Sequence, residues 1–338
     1  KVPLCFLCTL LHISQTLDTE KGRLFTMKCL IIDAVHSAIS EELSKYMQVD
    51  THMLPTQEEL AKMIPEYDVL IMRVDPAINK EILDAAKNLK VIGVCSVGLN
   101  HIDLDTAKEK GIQVFNAPGL NGNAVAELTL CKMLELSRHT IPACHDVKVN
   151  KTWDKYKFVG SELRGKTLGV LGFGRIGQRV GELARVFKMD VVAYDPYLPA
   201  HVFEEQHAKS MSIEEVLKVS DYVTIHMPLN DETRNLFNAK SIAEMKDDAV
   251  VLNMARGGIV NEKDMYEALK SGKLGAAGLD VVYTEPIKAN NPLLTAPNCI
   301  ITPHRSWGAK EARQRIMDIT VDNVKAYING SPINVVNK

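Results

Sequence analysis

The most informative stretch of this 338-residue chain is Thr167-Leu168-Gly169-Val170-Leu171-Gly172-Phe173-Gly174-Arg175-Ile176-Gly177. An apolar run of strand type leads directly into Gly-x-Gly-x-x-Gly, which opens a segment of helical pattern. In such a unit the first glycine permits a tight turn, the second lets a pyrophosphate approach the backbone, and the third lets helix and strand pack closely. The helix N-terminus offers unpaired N–H groups to the phosphates. We therefore predict a dinucleotide-binding loop made of Gly172, Phe173, Gly174, Arg175, Ile176 and Gly177.

An acidic residue after the next predicted strand supports this loop. The strand at residues 191–194 ends in Asp195, at about the spacing expected of a ribose-binding acid. A carboxylate there accepts hydrogen bonds from the ribose diol of NAD, and it repels the 2′-phosphate of NADP. The glycine pattern alone is weak, because glycine-rich turns are common. Together with Asp195 it predicts NAD as the cofactor.

Strand-length apolar runs alternate with helix-length amphipathic segments on both sides of the loop. Strands are predicted at residues 29–32, 69–73, 91–96, 114–116, 167–171, 191–194, 222–225, 250–253, 276–281 and 299–302. Helices are predicted at residues 41–47, 80–88, 105–110, about 123–140, and 310–329. Strict alternation is typical of parallel sheets covered by helices. We predict an α/β protein of two doubly wound, Rossmann-like domains, with the active site in the cleft between them.

Composition excludes several classes of function. Hydrophobic residues make up 46% of the chain, charged residues 24%, and the formal net charge is -2. Basic and acidic residues are interspersed, so no binding of nucleic acid or of anionic membranes is expected. No apolar run approaches the roughly 20 residues of a membrane-spanning helix. Most of the seven cysteines lie in apolar runs and suggest free thiols of a reducing compartment, hence a cytoplasmic protein.

The first 26 residues look like an extension that does not belong to the fold. A signal peptide is one interpretation of the apolar run at residues 4–11, but no small-residue cleavage site follows it. We favour Met27 as the natural start, with residues 1–26 as an upstream extension that contains no motif and no predicted strand. The pair Cys5-x-x-Cys8 has no second pair at zinc spacing, so no metal site is predicted.

Three polar residues, Arg256, Glu285 and His304, follow later predicted strands. Ligands of open parallel sheets bind outside the carboxyl ends of strands, so we expect all three near the cofactor. Reduction of a 2-keto acid needs a hydride donor, a proton donor and an anchor for the carboxylate. Histidine suits proton transfer near neutral pH, a neighbouring carboxylate orients it, and arginine grips a carboxylate. Taken singly, Arg256 could form a surface ion pair, Glu285 could be a turn residue and His304 a capping residue. Taken together, the three favour a catalytic site.

From about Met27 to Asn337 the chain resembles the D-isomer-specific 2-hydroxyacid dehydrogenase family. The matching stretches are Ser96-Val97-Gly98, Ile102-Asp103, Asn116-Ala117-Pro118-Gly119, Val125-Ala126-Glu127, the glycine loop, Ala255-Arg256-Gly257-Gly258, Gly278-Leu279-Asp280-Val281, Thr284-Glu285-Pro286 and Thr302-Pro303-His304. The resemblance implies that His304 is the acid/base, Glu285 its partner and Arg256 the substrate anchor. It implies that Ser96, Val97 and Gly98 bind the substrate carboxylate. It assigns further cofactor contacts to Val125, His226, Met227, Pro228, Thr233, Met254, Ala255, Asp280 and Gly308.

The resemblance also implies a domain organisation. Residues 27–123 and 307–338 would form a discontinuous substrate domain, and residues 124–306 the NAD-binding domain. Family members are usually homodimers joined through the NAD-binding domain, which suits the long helix predicted near its start. The non-enzymatic alternative is an NAD-sensing scaffold like the co-repressors of this family, which keep the same catalytic residues. Formate dehydrogenases share the fold, but they carry Gln where this chain has Glu285.

Within the family the substrate stays open between two classes. The end of the chain, from Trp307 onward, resembles glycerate dehydrogenases, also called hydroxypyruvate reductases. Residues 116–130 are more similar to D-3-phosphoglycerate dehydrogenases, whose regulatory domain has no room here. Arg73 supplies a single cation in its loop, so we expect hydroxypyruvate, D-glycerate or glyoxylate rather than a phosphorylated acid. Arg305 stands where the family usually has a small or apolar residue, and it either lowers the pKa of His304 or adds an anion contact.

Overall fold

The computed structural model describes residues 16–18, 23–25, 27–33, 35 and 37–338. Two compact units make up the chain: unit 1 is the part up to Leu120 together with Arg313–Lys338, and unit 2 is Asn121–Ala312. The apolar run at residues 4–11 and the Cys5-x-x-Cys8 pair lie outside the described residues.

Two short strands occur within the segment expected to be an extension. Strand β1 (Thr16–Asp18) pairs antiparallel with β2 (Arg23–Phe25) in a sheet of their own. Sequence analysis predicted neither of these strands. Strands this short carry too few residues for a periodic pattern to reveal them.

Unit 1 is built on a five-stranded parallel sheet in the order β4-β3-β5-β6-β7. Its elements are β3 (Lys28–Ile31), α1 (Ala38–Leu43), β4 (Gln48–Thr51), α2 (Gln57–Met63), β5 (Val69–Met72), α3 (Lys80–Ala85), β6 (Val91–Val94), α4 (Leu104–Glu109) and β7 (Gln113–Phe115). Strands β5 and β6 are buried at every position. This explains their unbroken apolar sequences, because central parallel strands are covered on both faces.

Unit 2 is built on a seven-stranded parallel sheet in the order β10-β9-β8-β11-β12-β13-β14. Its elements are α5 (Gly122–Arg138), α6 (Thr140–Lys148), β8 (Thr167–Leu171), α7 (Arg175–Val186), β9 (Asp190–Tyr194), α8 (Ala200–Glu205), β10 (Lys209–Ser210), α9 (Ile213–Val219), β11 (Tyr222–Ile225), α10 (Ala239–Ala243), β12 (Ala249–Asn253), α11 (Glu262–Ser271), β13 (Leu274–Leu279) and β14 (Cys299–Ile301). The last helix, α12 (Lys310–Ile328), starts in unit 2, and from Arg313 onward it belongs to unit 1. The prediction of two doubly wound parallel-sheet regions is confirmed.

Alternate residues of the unit 2 strands feed two separate apolar clusters. Val170 and Leu252 belong to one cluster, while Leu171 and Val251 belong to the other. Since successive side chains of a strand point to opposite faces, the sheet has an apolar core on each side. This double core holds the strands rigidly and fixes the loops at their carboxyl ends.

Two predicted helices have different limits in the structure. The helix predicted at residues 41–47 is α1, which lies earlier and ends at Leu43. The long helix predicted at residues 123–140 is α5, which ends at Arg138; His139, whose φ is 50°, separates it from α6, which was not predicted. A single left-handed residue ends an α-helix, and histidine is among the residue types that adopt this conformation more readily.

Several elements were missed because their sequences lack an apolar run. Strands β4 and β10 lie at sheet edges, and both are largely polar. Helix α2 buries only Leu60 and begins at a capping box formed by Thr56 and Glu59. Within the described part of the chain, none of the helices combines the length and the apolarity that crossing a bilayer demands.

Candidate active site

The glycine loop lies where the strand order of unit 2 reverses. Strand β8 is followed by β9 on one side, whereas β11 returns to its other side, and ligands of such sheets bind at this switch point. Gly172 has a φ of 89°, and a Cβ on it would lie 2.7 Å from the carbonyl carbon of His226 after β11. A Cβ on Gly177 would lie 2.2 Å from the carbonyl oxygen of Gly172. Both positions therefore require glycine for the fold itself.

Gly174 differs from the other two glycines because a Cβ there would meet nothing within 4 Å. It directly precedes α7, whose first N–H groups have no intrahelical partners. The open space beside this backbone matches the close approach that a pyrophosphate needs. The fold does not need this glycine, and the open space beside it suits the predicted dinucleotide contact.

Asp195 holds the glycine loop through the backbone. Its Oδ2 accepts a hydrogen bond from the N–H of Phe173 (2.9 Å), and its Oδ1 accepts one from the N–H of Tyr197 (3.0 Å). The predicted ribose-binding acid therefore stands beside the predicted phosphate loop.

The segment after β11 carries a neutral histidine. The backbone N–H of His226 donates to the carbonyl of Leu171 (2.7 Å). In the side chain, Nε2 is hydrogen-bonded with Thr224 Oγ1 (2.9 Å). Burial lowers the pKa of His226 to about 3, so the ring is uncharged at neutral pH. Its buried Nδ1 has no hydrogen-bond partner among the described residues, which leaves one polar atom for a ligand. Thr233 Oγ1 donates to the carbonyl of Pro228 (2.7 Å) and closes this segment, in which Met227 is buried.

His304 and Glu285 form a hydrogen-bonded pair. His304 Nδ1 lies 2.7 Å from Glu285 Oε2, and Oε1 of the same carboxylate accepts the N–H of Val282 (3.2 Å). Burial alone would raise the pKa of Glu285. The pKa nevertheless lies below its usual value, because the carboxylate is stabilised by the hydrogen bond and the charge of His304, by the N–H of Val282 and by the charge of Arg256. The two side chains are 43% and 38% exposed, so the pair remains accessible.

The turn that presents His304 is fixed by the buried carboxylate of Asp280. Asp280 is 1% exposed. Its Oδ1 accepts hydrogen bonds from Thr302 Oγ1 (2.5 Å) and the Arg305 N–H (3.0 Å), and its Oδ2 accepts the Ser306 N–H (2.8 Å). The carbonyl of Asp280 also accepts the N–H of His304 (2.8 Å), although His304 has a φ of 46°. Asp280, predicted to contact the cofactor, uses both carboxylate oxygens inside the protein.

Arg256 lies after β12 in a loop that packs against the segment leading to Glu285. A Cβ on the next residue, Gly257, would lie 2.0 Å from the carbonyl of Val282, so the two loops touch. Asn253 fixes the loop by donating from Nδ2 to the carbonyl of Arg256 (2.8 Å). The guanidinium is half-buried and donates to the carbonyl of Ala255 (2.8 Å). Unit 2 therefore brings Arg256 and His304 close enough to Glu285 for both of their charges to act on its carboxylate.

The remaining predicted contacts of unit 2 are placed more simply. Val125, on α5, is 3% exposed, and Met254 and Ala255 are also buried. Arg305 is exposed, and its carbonyl accepts the N–H of Gly308 (2.8 Å).

The predicted substrate-binding residues of unit 1 lie together at two strand ends. Arg73 follows β5, and Ser96, Val97 and Gly98 follow the neighbouring β6. Ser96 Oγ is hydrogen-bonded with the carbonyls of Gly98 (2.9 Å) and Arg73 (3.3 Å). Burial lowers the pKa of Arg73, and the nearby charge of Asp33 opposes that effect.

Two charged residues were missed by sequence reasoning. Asp33 follows β3, so the rule used for Arg256 and His304, a polar residue after a strand, would have found it. Lys132, on α5, is 1% exposed, and its ammonium has no hydrogen-bond partner among the described residues. Burial lowers its pKa. No sequence signal marks it, because a lysine in a helix is ordinarily expected on the exposed face.

The glycine loop yields a prediction that separates folding from binding. Gly174→Ala should melt near the wild-type temperature but bind NADH at least about tenfold more weakly, because its methyl group occupies the space of the phosphates. Gly177→Ala should lower the melting temperature, because its methyl group overlaps the backbone of Gly172. Thermal unfolding and fluorescence titration with NADH measure both effects. Unchanged NADH affinity in Gly174→Ala would contradict the assignment.

Comparison with known proteins gives the family. A sequence model described as D-isomer specific 2-hydroxyacid dehydrogenase, NAD binding domain, matches residues 130–306. A hydroxypyruvate reductase of Blautia hydrogenotrophica is 41% identical over 304 residues, which cover 88% of this chain and 94% of that protein. A D-3-phosphoglycerate dehydrogenase of Methanocaldococcus jannaschii is 41% identical over 313 residues, which cover 92% of this chain but only 59% of that protein.

A solved structure agrees with the sequence relatives. The crystal structure of the TT0316 protein from Thermus thermophilus is 36% identical, has a TM-score of 0.84, and covers 92% of this chain and 100% of that chain. The family and the cofactor class predicted from the motifs are therefore confirmed. The chain belongs to the D-isomer specific 2-hydroxyacid dehydrogenases, a family of NAD-dependent oxidoreductases.

Proposed function

We propose that this protein transfers a hydride between NAD(H) and a small 2-keto or D-2-hydroxy acid, with Arg256, Glu285 and His304 as its catalytic residues. The observation that carries the proposal is the 2.7 Å contact between His304 Nδ1 and Glu285 Oε2, next to the loop of Arg256. A histidine oriented by a carboxylate is the usual device for proton transfer at neutral pH.

In the direction of reduction, each residue has a separate role. NADH, when bound, supplies the hydride that adds to the keto carbon. His304, whose Nδ1 is engaged by Glu285, donates the proton from Nε2 to the keto oxygen, which becomes the hydroxyl group. Glu285 stabilises the imidazolium that exists before this transfer. Arg256 holds the substrate carboxylate and draws electron density from the carbonyl.

The cofactor would lie along the switch point of unit 2. The glycine loop and the start of α7 would hold the pyrophosphate, and Asp195 would accept from the ribose diol. The neutral, unpartnered Nδ1 of His226 and the open space at Gly174 support this assignment. The further contacts proposed for the cofactor are Val125, Met227, Pro228, Thr233, Met254, Ala255, Asp280 and Gly308.

Replacing the histidine tests the proposed chemistry. His304→Gln should lower kcat by roughly 10²–10⁴-fold, because the proton donor is lost while NADH still binds. The matched control is His201→Gln, which changes an exposed histidine on α8 and should leave kcat unaltered. Steady-state reduction of hydroxypyruvate and NADH titration give the two measurements. Near-normal turnover by His304→Gln would refute the assignment.

For the substrate, we propose hydroxypyruvate and D-glycerate. The relative from Blautia hydrogenotrophica, a hydroxypyruvate reductase, is matched over 94% of its length and supports this choice. Ser96, Val97 and Gly98 would bind the carboxylate through their backbone, and Arg73 would bind the hydroxyl end. A phosphate dianion needs several converging cations or N–H donors, and Asp75 would offset part of the charge of Arg73.

The second candidate is a D-3-phosphoglycerate dehydrogenase. The exposed side chain of Arg305, directly after His304, favours it, because a second cation would help to bind a phosphorylated acid. The relative from Methanocaldococcus jannaschii carries that name.

Substrate preference separates the two candidates. We expect a higher kcat/KM for hydroxypyruvate than for 3-phosphohydroxypyruvate, and Arg305→Ala should leave this order unchanged. The control variant Arg164→Ala removes an exposed arginine elsewhere in unit 2. A wild-type preference for the phosphorylated acid that disappears in Arg305→Ala, but not in Arg164→Ala, would make Arg305 the phosphate anchor.

We also propose that the protein is a homodimer joined through unit 2. Helix α6 and the segment after it expose Ile141 (46%), Val149 (61%), Trp153 (86%) and Tyr156 (75%). Apolar side chains this exposed and this close together typically mark a protein interface. A second copy of the same chain is the partner proposed here, because the family pairs through this domain.

Hydrodynamic mass tests the dimer. The wild-type protein should sediment with twice the mass of one chain, and Trp153→Asp should shift the equilibrium toward the single chain. Val186→Asp is the control, since Val186 is 73% exposed on α7, a different element of unit 2. A wild-type protein that sediments as one chain at micromolar concentration would refute the proposal.

For the cellular compartment, we propose the cytoplasm. The cysteines at positions 29, 95, 131, 144 and 299 are free thiols, although Cys131 and Cys144 are exposed. Exposed free thiols persist more readily in a reducing compartment than in an oxidising one. The proposed metabolic substrates agree with that location.

A further inference from the structure

Asp33 occupies the switch point of the unit 1 sheet. Strands β3 and β5 are neighbours in that sheet, so the segments that follow them meet at its carboxyl edge. Asp33 follows β3, and its Oδ2 accepts hydrogen bonds from three successive N–H groups after β5: Arg73 (3.1 Å), Val74 (2.6 Å) and Asp75 (3.2 Å). The residue is only 7% exposed.

Successive N–H groups that converge on one point form an anion-binding concavity, and here the anion is the chain's own carboxylate. Hydrogen bonds to an ionised acceptor are roughly twice as strong as those between neutral groups. Without the carboxylate, all three N–H groups would lose their shared acceptor at once. The backbone of residues 73–75 is therefore tied to Asp33.

The same constraint reaches the next loop. Ser96 Oγ is hydrogen-bonded with the carbonyl of Arg73 and with that of Gly98. A shift of residues 73–75 would consequently move an anchor of residues 96–98. The charge of Asp33 also acts on the Arg73 side chain, opposing the effect of its burial.

We propose that Asp33 is a positioning residue of the substrate site: its carboxylate holds residues 73–75, and through Ser96 residues 96–98, in the conformation that binds the keto acid. This inference rests on the proposed function, which assigns both loops to the substrate. Asp33 itself touches neither substrate nor cofactor in this scheme.

The test is the division of the effect between KM and kcat. Asp33→Asn keeps the size of the side chain and one acceptor oxygen but loses the charge. We expect KM for hydroxypyruvate to rise roughly 5–30-fold, the factor that corresponds to one or two kcal/mol. The values of kcat and of the NADH dissociation constant should stay within about twofold of wild type, because those depend on unit 2.

The same sheet offers a matched control at its other end. Asp68 accepts the backbone N–H of Lys28 (2.9 Å) and the ammonium of Lys90 (2.8 Å), and it lies just before β5 rather than after it. Asp68→Asn also removes a carboxylate that binds backbone, so it reproduces any general loss of stability. It should leave KM unchanged.

Each outcome has a defined meaning. A rise of KM in Arg73→Ala without a rise in Asp33→Asn would overturn the positioning role alone. An equal rise in Asp68→Asn, or a parallel loss of NADH affinity in Asp33→Asn, would overturn it in favour of general destabilisation. An unchanged KM in Arg73→Ala would refute the substrate role of the loop, and the positioning role with it. Should Asp33→Asn fail to fold, Asp33→Glu keeps the charge on a longer stem, and the same rise of KM at constant kcat is expected.

Discussion

The loops that matter here depend on one interaction, the hydrogen bond from a backbone N–H to the carboxylate of an aspartate at a strand end. A loop at the carboxyl edge of a parallel sheet has N–H groups that no strand accepts, and buried ones need a partner. Asp33, Asp195 and Asp280 supply that partner for the loops of Arg73, Phe173 and His304. An ionised acceptor binds several donors at once, so one side chain fixes a whole turn.

The strain at His304 shows what this interaction achieves. A non-glycine residue at a φ of 46° occupies a sparsely populated region, at a cost of order 1–3 kcal/mol. The bonds that Asp280 accepts from Thr302, Arg305 and Ser306 fix the turn on either side of the histidine. Their combined strength is enough to offset that cost, since charge-assisted bonds each contribute about 1.5–3 kcal/mol. The hydrogen bonds to Asp280 therefore fold the turn, and the contact between His304 and Glu285 is not required for that.

The sequence predicted those parts of the site whose requirements are local. Gly172 and Gly177 each need the absence of a side chain for a reason visible within one strand-turn-helix unit, so their pattern identifies them. Arg256 and His304 follow strands of clear apolar pattern, which reveals the sheet edge on which they lie. Strand β4 and helix α6 were missed because a polar edge strand and a break at one left-handed residue leave no periodic signal.

Other features could not be predicted because they depend on contacts between distant residues. The partners of Asp33 lie about forty positions away along the chain, beyond the reach of any local sequence pattern, and only the strand order β3-β5 brings them together. Lys132 is buried at a helix position where the pattern predicts an apolar residue. A buried cation without a hydrogen-bond partner lowers the stability of the fold. The residues next to Lys132 in the sequence do not indicate that it is buried.

The placement of two carboxylates near one imidazole explains why their roles differ. Asp280 is buried, and both of its oxygens accept hydrogen bonds from the turn, so its charge is committed to structure. Glu285 is partly exposed, and its Oε2 faces the ring of His304 while Oε1 accepts only the Val282 N–H. A carboxylate that pairs with an imidazole needs one oxygen that no backbone N–H occupies. The fold thus commits Asp280 to positioning the turn and leaves Glu285 free to pair with His304, the pair for which we propose proton transfer.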